Sequence, residues 1–327
     1  MNNPAFSLPE DPDDIRVVEN LFGDELAAAD LALANVSPIL RHLLGNDDHA
    51  LFSDRIVAQV RAQIEDLARQ LAMSLEAALG HADARERASE TAPQLAAAFI
   101  DNPAILAHAH ALALEAQLAE RLATRLSLDA VLSPLLQALI ASTDPDTAAT
   151  AMALLAAQAR FVQAQRRGEL ALAELPGDLL HAALLTMREH GADGDPARSR
   201  IAAVLETAIR GNFDEAANRL GLLHRLVAAM GGGAIAALDV EHAGVALFVT
   251  ALGLGAGLER DAAVLATSEA QLPRLALALL ASGAKPALVE KQFFALHPEV
   301  TLPEGFEALR ADRAAALLAG SGGFSGN

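Results

Sequence analysis

The chain has 327 residues, of which 53% are hydrophobic and 20% charged, enough to bury a substantial core in roughly two domains or one extended helical array. It contains no cysteine, tryptophan or tyrosine, which excludes thiol nucleophiles, cysteine-based zinc sites and redox pairs and leaves few stacking platforms for bases or sugars. Its formal net charge is −18, a sign that repels phosphate backbones, so nucleic acid is not an expected partner.

Residues 1–14 hold Pro4, Pro9 and Pro12 and four acidic residues after position 9, with neither a basic region nor an apolar core. They read as a disordered tail, not as a signal or transit peptide. From residue 15 onward the apolar spacing is helical nearly everywhere, and no alternating β-branched run bounded by turns suggests a sheet. Ser53 is placed to cap a helix running to about Leu79, striped by Ile56, Val60, Ile64, Leu67, Leu71 and Leu75, with Glu65 one turn ahead of Arg69. That stripe must meet another helix. A contact within the chain is favoured over a homodimer seam, because the repeat lasts barely three heptads.

Residues 81–94 are polar and read as a loop or short helix leading into 97–102. Asn102 and Pro103 then restart the chain as cap and first helical residue, and Leu114, Leu118, Leu122 and Leu126 follow at four-residue spacing. Ser127 and Asp129 are expected to begin the next helix, ending near Ser142 and closing an N-terminal helical region over 15–142. The run Thr143, Asp144, Pro145, Asp146 opens a C-terminal region over 143–319, its first helix reaching Arg167.

Shorter units follow, separated at Leu175-Pro176-Gly177, at 190–196, at Gly211-Asn212, at 231–233, at 253–257 and at Ser282-Gly283. Gly257 and Gly283 stand in matching contexts, each after a leucine-rich helix and before a charged restart. The punctuation predicts an all-α fold of antiparallel helix pairs, arranged as a HEAT-like stacked repeat or a multi-helix bundle, with the stack preferred. Residues 320–327 read as a second disordered tail.

Few residues suggest chemistry. His108 and His110 are separated by about 200° around a helix and cannot chelate one ion together. His110 reads as a core or interface histidine; His108 admits phosphotransfer as an alternative. Asn46-Asp47-Asp48-His49 and Asp193-Gly194-Asp195 read as turn and cap chemistry, since neither has the remaining ligands of a calcium loop. Gly253, Gly255 and Gly257 form GxGxG in a helical context rather than a dinucleotide fingerprint, and there is no GxxxxGK[ST], GxSxG or HExxH. No cofactor and no metal are expected. The uncharged run 243–258 is 16 residues long and glycine-interrupted, a buried core helix rather than a membrane span. Without an export or membrane signal, the cytoplasm is the expected compartment.

The densest basic group is Arg160, Arg166 and Arg167, with Phe161 among them and Glu169 following. On so acidic a chain these residues are the leading candidates for an interaction surface.

From about Ala156 the chain resembles an uncharacterised family of helical bacterial proteins, a domain of unknown function. The residues that carry the resemblance are Ala159-Arg160-Phe161-Val162 with Gln165-Arg166-Arg167, then the run Glu174 to Leu180, and the Phe248 to Arg260 stretch with its echo at Leu275 to Gly283. They span about half the chain. The resemblance implies stacked helices and contributes no catalytic residue. The resulting expectation is a protein–protein interaction or regulatory scaffold with a protein partner, the alternatives being a small-molecule binder or enzyme with an apolar inter-helix pocket, and a phosphotransfer protein.

Overall fold

The computed structural model describes residues 12–45, 54–191 and 195–320. The expected Ser53 cap, the Asn46 to His49 cluster and the segments 1–11 and 321–327 of the two tails lie outside them, whereas Pro12 to Asp14 open the first helix. The described chain is all α, without a strand. In order come α1 (Pro12–Ala34), α2 (Val36–Gly45), α3 (Asp54–Ala78), α4 (Ala84–Ile100), α5 (Pro103–Leu126), α6 (Pro134–Ile140), α7 (Pro145–Arg167) and α8 (Gly177–Gly191). There follow α9 (Pro196–Asn212), α10 (Arg219–Ala229), α11 (Val240–Ala256), α12 (Arg260–Ala266), α13 (Leu272–Ala281), α14 (Pro286–Leu296) and α15 (Ala311–Gly320).

Local chemistry explains the boundaries. Asn102 Oδ1 accepts from the Ala104 and Ile105 amides, and the Asp144 carboxylate accepts from the Thr147 amide, each before a proline that has no amide to satisfy. Asp195 caps α9 in the same way. Gly257 and Gly283 adopt the left-handed conformation, with φ of 66° and 88°, and end α11 and α13 as their matching contexts suggest.

Two boundaries differ from expectation. Residues 84–94 are helical, because α4 turns its polar face to solvent and buries only Ala88, Leu95, Ala96 and Phe99, a stripe too thin in large side chains to stand out in the sequence. Ser127 and Asp129 do not start a helix. Ser127 ends α5 in the left-handed conformation, Asp129 caps the turn at Val131 and Leu132, and Ser133 is the cap of α6.

The stripe on α3 is wholly inside, no member being more than 5% exposed. Burying six such side chains is worth on the order of 10 kcal/mol, and the contact is internal: α3 packs on α4, α5, α8 and α9. A homodimer seam along that stripe is therefore already occupied by the chain's own helices. One core joins α2, α3, α4 and the first half of α5 to Phe161, Leu170 and the apolar faces of α8 and α9. The other joins α1 and the second half of α5 to α6, α7, α10, α11 and the C-terminal helices.

The expected division at 142/143 therefore does not separate the cores. α8 and α9 complete the first, α1 packs on α13 and α15, and α5 belongs to both. Contacts between helices so distant in sequence suit the closed multi-helix bundle, since stacked repeats touch only their neighbours. Among the described residues no single helix is long and apolar enough to cross a membrane.

Candidate functional site

At the junction of the two cores lies a buried charge network. Arg219, the first residue of α10, has a side chain with no exposed surface. Its Nη1 and Nη2 donate to Glu115 Oε1 and Oε2 at 2.9 and 3.2 Å, its Nε donates to Glu174 Oε2 at 3.1 Å, and Nη1 also reaches Gln158 Oε1 at 3.2 Å. The guanidinium lies 3.6 Å from the centre of the Phe161 ring, a cation–π contact in a dry setting. Arg260, opening α12, donates to Glu115 Oε1 at 2.9 Å and to Thr250 Oγ1 at 2.6 Å. Two arginines thus face two glutamates, and five helices (α5, α7, α10, α11 and α12) and the 172–174 turn are tied together.

Burial would raise the Glu115 carboxyl, but the charges and hydrogen bonds of Arg219 and Arg260 outweigh it and hold the group down at about 2. A carboxylate held ionised by two arginines is a weak base at neutral pH. Beside it, His108 Nδ1 sits 3.0 Å from Asp261 Oδ2, and its Nε2 sits 3.3 Å from the Glu174 carbonyl oxygen. Burial opposes protonation of His108, yet the Asp261 charge and these hydrogen bonds win and raise its pKa. With 1% of its surface exposed, His108 offers no approach to a phosphoryl donor. The phosphotransfer alternative fails on access, although the acidic neighbour that sequence spacing did not disclose is present.

Two cavities flank α5. The smaller, about 190 Å³, lies between α3, α5 and α7 and is bounded by Glu115, Phe161, Gln59, Gln158 and Gln165, with Arg55 and Arg166 also in its lining. The larger, about 490 Å³, lies among α1, α2, α3, α5 and α12 and the turn that follows α12. Ile56 and Gln117 border both, so these two side chains form the partition. The wall of the larger cavity contributed by α5 is one helix face: His110, Leu114, Gln117, Leu118 and Arg121.

His110 is the anomaly in that wall. It is 4% exposed and its Nδ1 is buried without a hydrogen-bond partner. Burial pushes its pKa down to about 4 against the opposing charge of Asp261, so at neutral pH it is an uncharged imidazole with one donor and one acceptor. An unmatched buried group of this kind costs about 1–3 kcal/mol.

Comparison with protein-family models, with curated proteins and with solved structures gave no match. Residue roles therefore rest on the geometry alone.

The basic group divides. Arg160, Arg166 and Arg167 are exposed, but Phe161 is not a surface residue: it is 3% exposed, and its ring lies under Arg219. The apolar face of α7 turns inward at position 161, which leaves the arginines without an aromatic anchor. Arg167 is engaged with Glu169 at 2.8 Å. His108 and His110 point to different sides of α5, as their spacing requires, and both are buried because that helix is surrounded.

Sequence reasoning missed Glu115, Glu174, Arg219 and Arg260. One signal was available: Glu115 is the sole acidic residue between Asp101 and Glu120, set in an alanine and leucine frame. A lone charge on the apolar face of a core helix requires a buried partner.

Proposed function

We propose that this chain is a non-catalytic small-molecule-binding protein whose ligand occupies the larger cavity beside α5. The observation that carries the reading is His110, an imidazole that lines a 490 Å³ cavity and whose Nδ1 is buried without a hydrogen-bond partner among the described residues. The volume falls in the range of about 300–1,000 Å³ usual for small-ligand sites, and a buried imidazole with unused hydrogen-bonding capacity is a fixed polar point in an otherwise largely apolar lining. The engagement of Glu115 by two arginines, which lowers its basicity, supports binding over catalysis.

The test is native mass spectrometry of protein purified from its own cells, beside His110→Leu. A stoichiometric small-mass adduct is expected on the natural chain and not on the variant, whose unliganded Tm rises because an unsatisfied group has been removed. The absence of any adduct, together with a variant no more stable than the parent, rules out this reading.

A second reading is the interaction or regulatory scaffold. It is favoured by Arg160 and Arg166, exposed on a chain of net charge −18 and without an ion pair among the described residues, which would suit an acidic segment of a protein partner. Unchanged partner capture after the double substitution Arg160→Glu, Arg166→Glu would remove it. The cytoplasmic placement and the kinship with the helical bacterial family belong to the same proposal.

A further inference from the structure

The α5 wall of the larger cavity is graded along its length. His110 lies at the buried end. Arg121, three turns later on the same face, is exposed at the rim. Eleven residues of helix separate them by about 16 Å, and Leu114 and Leu118 fill the interval. Gln117, on the same face, makes no side-chain hydrogen bond among the described residues.

Arg121 makes no hydrogen bond or close ion pair among the described residues. Burial and the like charge of Arg125, one turn away, destabilise its cation, and Glu269 offsets them only in part. His297, packed nearby, feels the same field: burial lowers its pKa and both arginines lower it further. At the outer end Arg121 and Glu269 line the cavity and Arg125 lies one turn beyond on α5, so an anion there meets two cations against one carboxylate. The inner end offers a neutral donor and acceptor, and the middle is hydrocarbon.

Resting on the ligand-binding reading above, we infer that this cavity takes an elongated amphipathic monocarboxylate bearing a hydroxyl or carbonyl at its buried end. The carboxylate meets Arg121, the chain lies along Leu33, Val36, Leu114 and Leu118, and the polar terminus hydrogen-bonds the His110 imidazole. The ring can serve either terminus, donating to a carbonyl or accepting from a hydroxyl, because its tautomer is set by that partner.

The experiment is titration calorimetry with 12-hydroxydodecanoate, dodecanoate and 1,12-dodecanediol, all below micelle-forming concentrations, on the natural chain and on Arg121→Gln and His110→Leu. Arg121 is exposed, so Arg121→Gln keeps its fold, which circular dichroism verifies. The expected order is hydroxy acid tightest. Arg121→Gln weakens both acids roughly tenfold and leaves the diol unchanged, while His110→Leu abolishes the preference for hydroxydodecanoate over dodecanoate.

A diol that binds as tightly as the hydroxy acid, or acids indifferent to Arg121→Gln, overturns the assignment of ligand class and leaves the cavity reading standing. Binding that persists unchanged in both variants marks nonspecific adsorption and also overturns it. If none of the three probes binds, the ligand class is refuted, and the adduct and Tm of the His110→Leu comparison decide separately whether the cavity binds anything.

Discussion

Replacing Glu115 by glutamine keeps the shape of the side chain and removes the charge that Arg219 and Arg260 share. A carboxyl held at about 2 in the folded chain and near 4.5 when unfolded contributes about 3 kcal/mol at neutral pH. The independent expectation for removing one partner of a buried ion pair is about 3–5 kcal/mol, so the two estimates agree. Because the folded pKa is the depressed one, this contribution is complete above pH 4.5 and disappears as the pH falls through 2. Glutamine mimics the protonated acid at every pH. The difference in unfolding free energy between parent and Glu115→Gln, measured by urea titration, should therefore be about 3 kcal/mol at pH 7 and less than half of that by pH 3. A difference below about 1 kcal/mol at pH 7, or one equal at the two pH values, would refute the network as a stabilising lock.

Two further outcomes test the packing. Leu71 is fully buried on α3, so Leu71→Ala should cost about 2–5 kcal/mol by urea unfolding, and Leu71→Asp should abolish folding by circular dichroism; a folded monomer from the aspartate variant would instead make the stripe an assembly seam. Gly221→Ala pits local preference against space. Alanine favours a helix by up to about 1 kcal/mol, but its Cβ would overlap the Glu215 carbonyl oxygen, a backbone atom. Net destabilisation of about 1–3 kcal/mol is expected in thermal unfolding, and a Tm at or above that of the parent would show that the 215–217 turn yields.

What the sequence disclosed was local. Asn102 and Asp144 announced their helices because a short polar side chain before proline meets a need confined to three residues. The α3 stripe was equally plain, since a face of large aliphatic side chains repeats within a single helix. α4 was hidden because alanine supplies much of its inward face, and Ser127 misled because serine both starts helices and, more rarely, ends them. Phe161 shows the same limit: its arginine neighbours are exposed, but the rotation of α7 turns it inward. The site needed long-range information. Glu115 meets Arg219 across 104 positions and His108 meets Asp261 across 153, and periodicity in one segment carries no record of the other.

The shared helix α5 also bears on how the chain emerges from the ribosome. α2, α3 and α4 precede α5 and cover part of it, but α11 and α12 reach it only much later, and Glu115 acquires its first arginine at position 219. At ordinary translation speeds the nascent α5 waits on the order of ten seconds for that partner. Throughout that time it exposes Leu118 and Leu122 beside an unpaired carboxylate. The charge that later locks the bundle helps to keep that unfinished face wet until its arginines arrive.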